Sequence, residues 1–338
     1  MTTIFVAMRD EVLVVRRRED GWQHDIQLQG KSPRCLAADP LNSERVCCGT
    51  EGLGVWCSND GGITWYATWD GVPHDIVTAV AVSSLQQTDE GTVYAGTEPS
   101  AIFRSQDGGA SWQICSGLTE LPSASTWSFP PKPDTHHVRW IEPDPVVAGR
   151  LFVCIEAGAL VRSHDGGQTW KDRVPGGPYD THKLATHPLA PGRLYSAAGD
   201  GYFESDDGGA TWRQPEAGLQ HHYLYGLAVD PVNPDTVLVS AASGANQAHN
   251  ARAAESLIYR KTAGEKWQPV HDGLPEARGM TISILAANTT EPGTFYAANN
   301  HGLFRSADAG LTWEQLDVAW SGAYRSQRVN ALIVVEIV

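Results

Sequence analysis

Short apolar runs, many of them alternating with polar residues and rich in Val, Ile, Ala and Tyr, recur along the whole chain. Each is cut by Gly, Pro, Asn or Asp. A period of two over such lengths predicts strands, and the punctuation between them predicts tight turns. In one unit, Val77 to Val82, Thr92 to Gly96, Ala101 to Arg104 and Trp112 to Cys115 give four strands in succession, here named A to D. The first segment supplies only B, C and D, as Thr3 to Ala7, Val12 to Arg16 and Trp22 to Ile26. An A strand with the right pattern lies at the other end, Val329 to Val335. The two ends are therefore expected to pair and close a ring, which removes free sheet edges.

The junction between strands C and D carries a motif, Ser-x-Asp-x-Gly-x-x-Trp. It is intact at Ser58/Asp60/Gly62/Trp65, Ser105/Asp107/Gly109/Trp112, Ser163/Asp165/Gly167/Trp170, Ser205/Asp207/Gly209/Trp212 and Ser306/Asp308/Gly310/Trp313. A worn copy keeps Gly264 and Trp267, and another keeps Asp20-Gly21-Trp22. The tryptophans at 22, 65, 112, 170, 212, 267 and 313 are spaced 43, 47, 58, 42, 55 and 46 residues apart. These are the intervals of four-stranded propeller blades. Asp accepts hydrogen bonds from turn amides, Gly takes a positive φ, and Trp buries a broad face between strands. A residue repeated in every blade marks the fold and not one pocket.

These residues resemble the Asp-box of the bacterial neuraminidase repeat (BNR) family, found in sialidases, sortilin-type receptors, xyloglucan hydrolases and photosystem II assembly factor-like proteins. The resemblance covers nearly the whole chain and implies an all-β fold, a single seven-bladed β-propeller spanning residues 1–338 with blade 1 completed by residues 329–338. It does not imply one activity, because such repeats serve enzymes and binders alike. Neither an N-terminal Arg-Ile-Pro signature nor a Tyr-Glu pair with a third arginine is found, so sialidase activity is not carried over.

Composition narrows the partners. Against 39 Asp and Glu stand 25 Lys and Arg, a formal charge of −14, which repels nucleic acid and anionic membrane. No apolar run is long enough to span a membrane as a helix. The start of the chain enters a strand without a basic region or cleavage site, so a cytoplasmic location is expected. Six cysteines without a Cys-x-x-Cys pair are expected to be buried, reduced thiols.

Candidate chemistry lies on the rim opposite the boxes, where the loops entering strand A and the B–C turns meet. Two insertions fall there, Glu120 to Thr135 before strand A of blade 4 and Ser243 to Glu255 between B and C of blade 6. Aligning the A strands places Asn330, Arg34, Thr78, Arg139, His182, Tyr225 and Ser283 one per blade near the channel mouth. Three readings stay open. In the first, His137, His182, His222, His249 and His301, with Glu156 or another carboxylate, hold a divalent transition-metal ion. In the second, Arg34, Arg139, Arg252 and Glu98 bind a small-molecule or glycan substrate, with Trp127 as a sugar platform or as lid packing. Glu156, Asp180, His182 and Tyr225 then supply hydrolase or lyase chemistry. In the third, the rim binds a ligand or a protein partner without catalysis.

Overall fold

The computed structural model describes residues 1–85 and 91–337, and shows seven antiparallel sheets arranged in a ring. Each blade runs A to D outward from the axis. Blade 1 is assembled from both ends of the chain: Ala331–Glu336 pairs with Thr2–Ala7, which pairs in turn with Val12–Arg18 and Gly21–Gln27. Residue 338, counted in the closing strand, lies outside the described residues. The A strands contact one another in order round the ring, and the closing strand touches those of blades 2 and 7. Blades 4 and 5 differ from the expected unit in their outermost strand, which shrinks to single bridges at Arg162/Lys171 and Glu204/Arg213.

Strand B is buried on both faces because neighbouring blades pack there, so its residues are mostly small or branched and apolar, whereas strand A turns part of its length to the axial channel and is only partly buried there. Strand B of blade 4, Leu151–Ile155, is buried throughout. The boxes tie the C–D turns. In blade 4 the Ser163 hydroxyl donates to Asp165 Oδ1 and accepts from Gly167 N, both at 2.8 Å, while Asp165 accepts from Gln168 N, Thr169 N and the Thr169 hydroxyl. Gly167 sits at φ 88°, where a side chain would be strained and its Cβ would meet Cys115 Sγ at 2.8 Å. Several box tryptophans also reach the blade before, as when Trp170 donates to Ser116 O at 3.1 Å and Trp267 to Pro215 O at 2.9 Å.

One expectation is corrected. Cys47 and Cys57 form a disulfide, because strands B and C of blade 2 set them directly opposite with Cα atoms 4.2 Å apart. The other four cysteines are free and buried. Among the described residues no helix is long and apolar enough to cross a membrane.

What matters most for the site is a repeated irregularity. In blades 2 to 6 the A–B ladder slips at a corresponding place near the start of strand A, between Pro33/Cys35, Val77/Ala79, Val138/Trp140, Thr181/Lys183 and Leu224/Leu227. The skipped residues include Arg34, Thr78, Arg139, His182 and Tyr225. Bulges re-aim side chains, and here they fall on the residues of the channel mouth.

Candidate functional site: an axial cleft opposite the Asp-boxes

A cleft of about 290 Å³ opens on the axis, and Arg34, Thr78, Arg139, Tyr225 and Asn330 all line it. His182 lines the adjoining, narrower part of the channel. Ser283 stands apart, buried and accepting from Asn299 Nδ2 at 3.1 Å. A second set of lining residues sits two positions earlier in four blades: His137, Asp180, Tyr223 and Arg328. Of these only Tyr223 lies within its strand; the others stand in the segments that lead into strand A.

At the centre is Glu156, carried on the B–C turn of blade 4 between Leu151–Ile155 and Ala159–Ser163. Its Oε2 takes a hydrogen bond from His137 Nε2 at 2.8 Å and lies 3.5 Å from Arg139 Nε. Its Oε1 lies 3.9 Å from His182 Nε2. Burial works against its charge, but the His137 hydrogen bond and the charges of His182 and Arg139 win, holding the carboxyl well below its usual range. Asp180, in the loop entering strand A of blade 5, is pushed the other way by burial and by Glu156, against the pull of His182. Its Oδ1 accepts from Ala157 N at 2.8 Å, and its Oδ2 lies 3.7 Å from His182 Nε2.

His182 is 1% exposed. Its Nδ1 donates to Leu224 O at 2.6 Å, and its ring packs 5.0 and 4.8 Å from those of Tyr223 and Tyr225. Tyr225 lies also under Arg139, whose guanidinium carbon is 4.8 Å from the ring centroid. Burial disfavours the Arg139 charge, yet Tyr225 and Glu156 raise its pKa overall. His249, on the short helix Ala245–His249 of the blade 6 insertion, meets the Tyr223 hydroxyl at 3.0 Å and is driven down to about 3 by burial and by Arg328. Burial also raises Tyr223. Phe129 of the blade 4 insertion stands edge-on to His137 at 4.7 Å.

The fold thus gathers Glu156, Asp180, His182, Tyr225, Arg34, Arg139, His137 and His249. It does not gather the rest. His222 is 56% exposed and pairs with Glu216 at 3.3 Å, and His301 approaches Gly279 O at 3.1 Å, so neither joins the other histidines round one point. Glu98 is buried against Lys132 at 3.2 Å, and Arg252 is exposed. Trp127 is core: it is buried, donates to Ser123 Oγ at 3.0 Å and packs against His136. Arg328 is the residue that alignment of the A strands alone does not find, although the two-residue offset from Asn330 points to it.

The model of the BNR/Asp-box repeat matches residues 161–172, so the chain carries that repeat. A xyloglucanase of Acetivibrio thermocellus is 27% identical over 246 residues, which are 62% of this chain and 28% of that protein. The chain therefore spans little more than a quarter of that relative's length. Among solved structures, a GH74 enzyme of Niastella koreensis superposes with a TM-score of 0.66 at 15% identity, over 96% of this chain and 54% of that one. The structure of YCF48 bound to D1 peptide superposes with 0.60 at 15% identity, over 91% and 94%. These likenesses show the fold.

Proposed function

We propose that the chain is a hydrolase or lyase acting on a polar small molecule, or on one end of a glycan, held in the axial cleft. The observation that carries this reading is the convergence of Glu156, His137, Arg139 and His182, two of them buried and two partly buried, at one point of the axis. Buried charge is costly to a fold, and the ring closes through apolar strands and box turns that do not use it. The cleft volume lies at the small end of ligand sites, about 300–1,000 Å³, and suits a chain end or a single small molecule rather than a polymer run.

Arg34, Arg139 and Arg328 around the mouth match a ligand with an acidic group, which a guanidinium grips through paired hydrogen bonds. The facing atoms of Glu156 and Asp180 lie within 4.8 Å of each other. That is closer than the about 6.5–9.5 Å an inverting glycosidase pair leaves for water and nearer the about 5–5.5 Å of a retaining pair. Glycan-acting relatives such as the xyloglucanase support the hydrolase class.

The test is a panel of acidic and neutral mono- and oligosaccharides incubated with the protein and read by mass spectrometry. Wild type is expected to turn over an acidic member, and Glu156→Gln to lose about 10²–10⁴-fold of that rate. Saturable binding without turnover would select the non-catalytic ligand- or peptide-binding propeller instead.

A further inference from the structure

We infer that Glu156, Asp180 and His182 form a site for one divalent transition-metal ion. The three side chains share a design. Each is anchored through one polar atom and presents the other: His182 Nδ1 is fixed by Leu224 O, Glu156 Oε2 by His137, and Asp180 Oδ1 by the amide of Ala157. One polar atom of each of the three side chains lies within 4.8 Å of the other two, and His182 Nε2 faces Glu156 Oε1 and Asp180 Oδ2.

Because a carbonyl only accepts, the bond to Leu224 O keeps a proton on Nδ1, so that the neutral imidazole, which a metal selects, carries its lone pair on Nε2. That tautomer is what a histidine ligand requires, and an outer hydrogen bond that fixes it is the usual support of a metal-binding imidazole. His182 Nε2 is buried and has no hydrogen-bond partner. An unmet polar atom in such a place costs free energy, and a cation between it and the two carboxylates would satisfy it. Ligand atoms about 2.1 Å from an ion lie at most about 4.2 Å apart. His182 Nε2 already meets that limit with Asp180, at 3.7 Å, and with Glu156, at 3.9 Å. The two carboxylate oxygens lie within 4.8 Å of each other, and an ion shared between them would draw them to about 4.2 Å or less.

Gly199 supplies an independent sign that the space is kept. A Cβ there would stand 2.1 Å from Asp180 Oδ2 and 3.2 Å from His182 Cε1, so any side chain would push the aspartate off its place. Two carboxylates with one imidazole form a donor set between hard and soft, suited to Mn²⁺, Fe²⁺ or Zn²⁺. Glu156 and Asp180 also line the cleft, so remaining coordination positions would face a bound ligand, and the ion would polarise an oxygen of it. The inference shares the cleft with the proposed function but stands on its own geometry.

The experiment uses the full chain, purified without an affinity tag and stripped with chelator, titrated with Mn²⁺ by electron paramagnetic resonance and with Zn²⁺ by calorimetry. One equivalent of at least one ion is expected. Affinity should fall more than about 100-fold in Asp180→Asn and His182→Gln, and about 10–100-fold in Gly199→Ala. Metal should raise the melting temperature of wild type and leave that of Asp180→Asn unchanged, which keeps the test valid if His182→Gln folds poorly. Absence of a bound equivalent, or undiminished binding in Asp180→Asn, overturns the site; the second result would place the ion elsewhere. Glu156-dependent turnover by protein that binds no equivalent of either ion would remove this inference and leave the proposed function. Stoichiometric metal without turnover would do the reverse.

Discussion

Two glutamates withdrawn from solvent, Glu204 fully and Glu156 to 16% exposure, lie on opposite rims and show how differently the propeller uses charge. Glu204, beside the box serine of blade 5, is 2% exposed and saturated: Arg213 at 2.5 Å, Lys261 at 3.0 Å and the Tyr202 hydroxyl at 2.8 Å all donate to it. Glu156, on the opposite rim, has one oxygen held by His137 and turns the other toward Asp180 and His182 at the cleft. The same division runs through the smaller groups. Box aspartates accept three or four hydrogen bonds from their own turns. The buried imidazole nitrogens without partners, in His136, His137, His182 and His249, all come from the cleft rim. Unmet atoms are not confined to the cleft, since Trp313 Nε1 and the Nε atoms of Arg104, Arg150, Arg193 and Arg305 on the box side also lack partners; what sets the cleft apart is that its unmet groups are imidazoles, which can take a ligand or an ion.

The contrast can be broken by substitutions that separate activity from stability. The largest effect is expected for Glu156→Gln, with about 10²–10⁴-fold loss of turnover and a melting temperature close to wild type. Unfolding of this variant would make Glu156 structural like Glu204. Next, Trp267→Ala removes a side chain 1% exposed and should cost about 3–5 kcal/mol in denaturant unfolding, with ligand binding intact in the folded fraction. Asp165→Ala should cost less, about 1–2 kcal/mol from lost turn bonds, and leave the cleft unaffected.

The smallest effect is a pH dependence. Asp207 is drawn down to about 2 chiefly by its bonds to Thr211, and Asp60 and Asp165 to about 2 because turn hydrogen bonds outweigh the opposing burial. Their folded values lie below the ordinary aspartate value of about 3.9, so the stability they contribute is complete above that pH and is lost as pH falls toward 2. Melting temperatures recorded between pH 5 and pH 2 should decline, and Asp165→Asn should flatten part of that slope.

The architecture was readable because its determinants are local and repeated: a turn that needs Ser, Asp, Gly and Trp at fixed offsets leaves its print in every blade. Arg34, Arg139, His182 and Tyr225 were readable as channel-mouth residues for the same reason, since each occupies one place in a repeated strand. What stayed hidden depends on single encounters. That Glu156 would face Asp180 is decided by a turn of one blade and the entry loop of the next. Arg328 lies outside strand A, and only the two-residue offset exposes it. Likewise, a register between strands B and C pairs Cys47 with Cys57, and neither cysteine's spacing announces it.

The most direct test of the account is a crystal of the protein soaked with acidic mono- and disaccharides. The account predicts ligand density on the axis, in contact with Arg34, Arg139 and Arg328 and reaching Glu156. Density confined to the Asp-box rim or the outer blade edges, with the axial cleft filled by water alone, would contradict it.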